Sequence, residues 1–483
     1  MAFATLAGGD TVSFDLSATQ AAKVQAAVNF LTSSRHFTKD AIFHYGSGPV
    51  PTNPAIENVI IADGGANITS APNYTDAIVI DSVNGTAATK ITVSNVPLIV
   101  GNQGNDSITL NNSFGGPGGT IIAGDGNNVL TLGALFANGA SSISAGNGNN
   151  SVGLLGNGTV QAGDGRDTVV LLDLSGKGSQ VTLGNGSGDQ VSFGGLNGKV
   201  IVGNGSNDSV TFVGSGTVVA GNGSGDTVNF LGQGLVSVGS GAGDVINFDG
   251  SGTIDAGGAD RINITGGGAV SVQAGPGNDT ITLGQGYDSV VVTSAATVYG
   301  GMSDGEHDSS EPHSTVYGGS GNFLFIGSSG FDSVVAGSGN ASLQAGVGGH
   351  DTFVAGSGHD TLDGSANQTG QNVFFGGSGL ATMTGSTNGT NTFHGGSGQD
   401  TINVSGTHNL FVFDNHVSGN HVINGVTSNN SGTLEFDNYG LTPQQIVQDS
   451  SVVSGSTVIH VGSTTVTLKN FTHLTNSMIT TKH

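Results

Sequence analysis

The sequence predicts an all-β protein: a parallel β-solenoid, wound as a flattened two-sheet roll with coils of about 18 to 22 residues. An N-terminal helical and β cap and a small C-terminal β module complete it. Three observations carry this. Glycine makes up 87 of 483 residues, so the chain turns very often. Aspartates recur at a fixed spacing, each behind a glycine-rich turn. Behind each aspartate, apolar residues alternate with period two, which places them on one face of a strand.

The central coils align without gaps. Asp208, Asp226 and Asp244 are 18 residues apart and follow the turns GNGSND, GNGSGD and GSGAGD. The pairs Val210 and Phe212, Val228 and Phe230, and Ile246 and Phe248 take the second and fourth places after them. The second half of each coil repeats too, in Val218, Val236 and Ile254, each behind a GSG or GQG turn. One coil is therefore turn, strand, turn, strand. Glycine-rich sequence is often disordered, but disordered linkers lack these apolar pairs.

The ladder absorbs insertions and deletions in its turns. From Asp244 to Asp260 and from Ile254 to Val270 the step shortens to 16, while Ile262 and Ile264 keep the core places and Asp279, Ile281 and Leu283 continue them. Upstream, Asp106, Asn128 and Asn150 are 22 apart, as are Ile108, Leu130 and Val152. The paired strings TVYGG at 297–301 and 315–319 flank a polar insertion, MSDGEHDSSEPH, at 302–313. The glycine-rich solenoid is read over 101–424.

Residues 1–100 read as a capping or assembly region. Within them, 17–33 predict a helix: Ser17 and Gln20 form a capping box, and Ala21, Val24, Val28 and Leu31 an apolar stripe. A terminal coil needs such a cover, because a bare one exposes strand edges and core. From 425 to 483 glycine falls away. Thr442-Pro443 starts a short helix, and STVIHV with TTVTLKNF predicts a hairpin.

Charge and composition exclude several function classes. Ten Lys plus Arg against 34 Asp plus Glu give a net charge of −24, which disfavours nucleic acid and anionic surfaces and favours cations. The absence of cysteine removes disulfides, thiol catalysis and cysteine zinc sites. No apolar run is long enough to span a membrane as a helix, and MAFATLAGGD lacks the features of a secretory signal. There is no G-x-S-x-G, H-E-x-x-H or P-loop, so no catalytic site is expected. Asp304, Glu306, His307, Asp308, Glu311 and His313 are the densest group of potential ligands, and read first as a solvated acidic insertion. The histidines after 350, scattered one per turn or strand, are assigned no role.

The turns resemble the RTX, or hemolysin-type, calcium-binding repeat, whose nonapeptide is GGxGxDxUx with U a large apolar residue. GNQGNDSIT from 101, AGDGRDTVV from 162, AGPGNDTIT from 274, LGQGYDSVV from 283, AGSGHDTLD from 355 and GGSGQDTIN from 395 carry the resemblance, which spans about 101 to 405. Two matches are in direct tandem across Asp279 and Asp288, and Asp351 to Asp360 keeps the same step of nine. The resemblance implies a β-roll that holds calcium between neighbouring coils through aspartate carboxylates and backbone carbonyls. Calcium takes about six to eight oxygens, and glycines let carbonyls converge on it.

On that basis Asp106, Asp167, Asp279, Asp288, Asp351, Asp360 and Asp400 are the leading calcium ligands, with Asp164, Asp189, Asp208, Asp226, Asp244, Asp260 and Asp332 ranked behind them. The central turns carry one extra residue before the aspartate, Asn128 and Asn150 replace it in two early coils, and the opposite turns, such as GSGT at 214 and 250, lack an acid. Asp and Asn also close their own turns by hydrogen bonds, which is the competing account of these positions.

The C-terminal stretch LTPQQIVQDSSVVSGSTVIHVGSTTVTLKNFTHL resembles the tail of type I secreted RTX proteins, which implies export by an uncleaved C-terminal signal. The expected function is a secreted, calcium-binding structural protein of the cell surface, extracellular matrix or a filament or surface layer, self-associating into a homo-oligomer or polymer. The alternative is an RTX protein that binds or modifies extracellular polysaccharide. With no Trp and six Tyr, aromatic platforms for a sugar chain are scarce.

Overall fold

The structure is a computed structural model that describes residues 2–5, 11–14, 42–45, 58–71, 75–81, 86–301, 314–347, 350–368, 370–427 and 432–482. The expected helix at 17–33 and the insertion at 302–313 lie outside the described residues. The chain forms two compact units, Met1–Asp244 and Val245–His483.

In the first unit the coils from Leu98 to Thr182 each contribute a strand to each of two parallel ladders. One stacks Ser107–Asn111, Val129–Gly133, Ser151–Leu155 and Thr168–Asp173, with Ile108, Leu130, Val152 and Val169 in one column and Leu110, Leu132, Leu154 and Leu171 in the next. The other stacks Leu98–Val100, Thr120–Ile122, Ser141–Ser144, Gly158–Gln161 and Gln180–Thr182. Both columns are buried, because a two-residue period sends every second side chain inward.

The later strands Gln190–Ile201, Ser209–Val219 and Thr227–Val238 run through both faces without a break in pairing beyond one irregularity at Gly195/Gly198. Glycine is required where they bend. Gly214 and Gly232 have φ of 131° and 137°, and a Cβ on either would collide with the carbonyl oxygen of the glycine one coil before. Inside the bend Phe193, Phe212 and Phe230 stack, with ring centroids 4.7 and 4.9 Å apart and planes within 8° and 1° of parallel. Their separation is the spacing of neighbouring strands, so each ring fills the space its coil provides.

Phe212→Ala is therefore expected to destabilise the protein by about 3–5 kcal/mol, read as a lower denaturation midpoint. Val213→Ala, on the outer face of the same strand, should leave the midpoint nearly unchanged, since Val213 is 49% exposed.

The second unit repeats the architecture. Val245–Ala256 pairs in parallel with both Arg261–Ile264 and Val270–Ala274, and from there the ladders alternate coil by coil. One runs to Gln399–Asn403 and Asn420–Asn424, the other to Leu410–Asp414 and Thr433–Asp437. Phe374, Phe393 and Phe411 stack in its core with centroids 5.0 and 5.5 Å apart.

Parallel pairing extends past the glycine-rich stretch at both ends. Ile42–Tyr45 pairs with Asn58–Asp63, and that strand with Thr75–Asp81. These early strands carry unbroken apolar runs, VIIA at 59–62 and AIVI at 77–80, in place of alternation, and no glycine-rich turn leads into an aspartate before them, so spacing alone does not reveal them. At the other end, Thr464–Leu468 pairs in parallel with Asn420–Asn424, and Ile479–Lys482 with Thr433–Asp437. The hairpin is as read: Ser456–Val461 is antiparallel to Thr464–Leu468. The helix Pro443–Gln448 starts on a capping box between Thr442 and Gln445. The C-terminal module thus covers the last strand of both ladders, which removes two open edges.

Candidate cation sites

Glycine turns bring each aspartate to the start of a strand with its side chain turned into the coil rather than out of it. Asp106, Asp167, Asp189, Asp208, Asp226 and Asp244 are all 0–1% exposed. Register places them, with Asn128 and Asn150, in one row along one edge of the first unit. The row is knitted by a repeated bond: the backbone N–H of each member donates to Oδ1 of the equivalent residue one coil later. Asp167 donates to Asp189 at 2.7 Å, Asp189 to Asp208, Asp208 to Asp226 and Asp226 to Asp244 at 2.9 Å each. The asparagines join it: Asp106 donates to Asn128, Asn128 to Asn150 and Asn150 to Asp167, at 2.9, 3.2 and 2.9 Å.

In the second unit the aspartates fall on two rows. A step of nine moves from one strand of a coil to the other, so the tandem nonapeptides put Asp279 and Asp288 in different ladders, and likewise Asp351 and Asp360. One row holds Asp260, Asp279, Asp360 and Asp400, with Ala296, Phe323, Ala341 and Ala381 between them. The other holds Asp288, Ser314, Asp332, Asp351, Asn372, Asn391 and Asn409. The inter-coil bond recurs, from Asp260 to Asp279 and from Asp332 to Asp351, at 3.0 Å each.

The carboxylates divide by what their second oxygen meets. Asp106 takes N–H groups of Thr89 and Asn102 at 3.0 and 2.9 Å, Asp288 those of Val270 and Gly284 at 3.1 Å each, and Asp360 those of Ala341 and Gly356 at 2.9 and 2.7 Å. By contrast, Oδ2 of Asp167, Asp189, Asp208, Asp226, Asp279 and Asp351, and both oxygens of Asp332, are buried without a hydrogen-bond partner. Several turns ranked low for their extra residue are thus the ones with an unmatched oxygen. Asp164 differs from all of these. It lies exposed at a turn tip, where it accepts the N–H of Asn185 at 2.7 Å.

Burial raises the pKa of most carboxyls in these rows. Asp106, Asp167, Asp226 and Asp288 rise to about 6 and Asp351 to about 7, chiefly because desolvation penalises the charge. Asp189 reaches about 7 by burial and then by the carboxylates of Asp208 and Asp167 beside it. Asp332 reaches about 8, by burial and then Asp351. Asp208, Asp244, Asp279 and Asp360 also rise through burial. A row of like charges one strand spacing apart calls for protons or cations between its members.

The turns suit a hard cation. Among the described residues no three His, Asp or Glu side chains converge, so an ion here draws on backbone carbonyls besides carboxylates, a mixture calcium accepts. The coils approach closely at these turns: a Cβ on Gly186 or Gly205 would collide with the carbonyl oxygen of the glycine one coil earlier. Asp167, Asp189, Asp208 and Asp226 would hold such ions along one edge, and Asp279, Asp332 and Asp351 in the second unit.

Two features were not read from the sequence. At the turn tips, exposed Asn and Ser side chains form their own ladders, as where Asn185 accepts from Asn204 at 3.0 Å and Asn204 from Asn222 at 2.9 Å. Their 18- and 19-residue spacing is visible in the GNGS strings. The second is His421, which is 1% exposed and lies next after Asp400 in its row, with Nδ1 at 2.8 Å from Asp400 Oδ2. Asp400 also accepts the N–H of Gly396 at 2.8 Å. A buried imidazole thus stands in the row where the neighbouring coil offers no carboxylate, and only strand register brings the pair together.

Fold and site define a parallel β-solenoid with stacked rows of buried aspartates. Comparison with protein-family models, curated proteins and solved structures gives no match. Among the described residues, no helix is long and apolar enough to cross a membrane.

Proposed function

We propose that this chain is an RTX-type protein, exported by a type I route, that binds calcium in its glycine-aspartate turns. Its role is structural, in a cell surface layer, an extracellular matrix or a filament, with the solenoid as the self-associating element. The observation that carries the reading is the row of buried carboxylates with unmatched oxygens in close-packed glycine turns. Such a row repels itself when ionised and empty, and calcium between coils turns repulsion into cross-linking. A chain exported unfolded would meet enough calcium to fold only outside the cell.

For self-association, the supporting feature is a column on the outer face of the first unit. Leu155 and Leu172 are adjacent in register, and Gly194 separates them from Val213 and Leu231. The four apolar side chains are 37–49% exposed. Two copies share the same pitch by construction, so such a column can interdigitate with its like over many coils.

Negative-stain electron microscopy of the purified full chain tests the assembly. Filaments or sheets are expected in millimolar calcium and dispersed particles in chelator. Monomers in both conditions would overturn it.

A further inference from the structure

The asparagines in the first row show what the aspartate turns lack. The turns ending in Asn128, Asn150 and Asp167 have the same length: GDGNN, GNGNN and GDGRD. All three side chains are 0–2% exposed, and each uses Oδ1 to accept the N–H of the preceding coil. In Asn128 the other atom, Nδ2, donates to the carbonyls of Gly124 and Gly126 at 3.0 and 3.1 Å and to Asn150 Oδ1 at 2.9 Å. In Asn150 it donates to Gly146, Gly148 and Asp167 Oδ1 at 3.0, 2.9 and 2.9 Å. The amide orientation is fixed, since a flip would set oxygen against three oxygens and NH2 against an N–H. At Asp167 the corresponding atom is an oxygen, and it has no partner.

We infer that Asn128 and Asn150 carry in their own amides the positive donor that a bound cation brings to the aspartate turns, so these coils are stitched without metal and metal dependence begins at Asp167. The cation half of this rests on the calcium reading above. The donor half rests on hydrogen-bond geometry alone. The same chemistry appears in the second unit, where Asn391 Nδ2 donates to Asn409 Oδ1 at 2.9 Å and Asn409 Nδ2 to the Ser405 carbonyl at 3.0 Å.

The test compares thermal melts of the full chain at neutral pH, in calcium and in EGTA, for wild type, N128D/N150D and D167N. The double variant loses both amides and is expected to melt about 5 °C or more below wild type in EGTA, with calcium restoring most of the difference. Folding only in calcium would support the inference equally. D167N should melt at or above wild type in EGTA and respond less to calcium. The inference is overturned if N128D/N150D matches wild type in EGTA, or loses the same amount with and without calcium, as an ordinary lost hydrogen bond would. A wild type indifferent to calcium would sink the calcium reading, while a low-melting N128D/N150D and a stabilised D167N in EGTA would still support the donor role.

Discussion

In EGTA the protein is expected to melt on the order of 10 °C or more below its melting temperature in millimolar calcium. The size follows from repetition. A calcium bound between coils, as proposed, would add binding free energy that exists only in the folded state, and the candidate turns are consecutive in Asp167, Asp189, Asp208 and Asp226. In a solenoid, where each coil touches mainly its neighbours, stabilisation of adjacent coils accumulates along the row. Differential scanning calorimetry with circular dichroism checks it. Superimposable curves in calcium and EGTA would mean that inter-coil hydrogen bonds hold the turns without metal.

The second large effect is on pH. The folded pKa is raised from 3.8 to about 6 at Asp106, Asp167, Asp226 and Asp288, to about 7 at Asp189 and Asp351, and to about 8 at Asp332. A raised value means that the folded state binds the proton more tightly than the unfolded chain. The stability it confers is complete below the unfolded pKa and is lost as pH rises through the folded one. In EGTA the melting temperature should therefore fall by many degrees between pH 4 and pH 8. A calcium ion bound as proposed would compete with the proton for the same oxygens and bind better as they ionise, so in excess calcium the slope should flatten or reverse. A chelated protein whose melting temperature rises across that range would show that the carboxyls are not protonated in the fold.

Much of this molecule is written in its sequence. The period-two pairs such as Val210 and Phe212 fix strand and inward face, because a strand offers two sides and only one is dry. The recurring step between aspartates, 16 to 22 residues, sets the coil. Thr442 and Gln445 announce their helix through local chemistry, within one turn of chain.

What only tertiary structure decides is how residues from different coils meet. The early strands Asn58–Asp63 and Thr75–Asp81 belong to the ladders through register, not spacing. His421 joins Asp400 across a whole coil. The nonapeptide match orders the aspartates by likeness, yet what separates them is whether the N–H four residues back in the same turn reaches the second oxygen, as those of Asn102, Gly284 and Gly356 do for Asp106, Asp288 and Asp360. Asp106 and Asp360 find two N–H groups while Asp189 finds one, so an oxygen is left unmatched in the central turns as it is at Asp167, Asp279 and Asp351. The physical reason is that a strand's face is a property of its own backbone, whereas the satisfaction of a buried carboxylate depends on the folded shape of its turn and on atoms contributed by another coil.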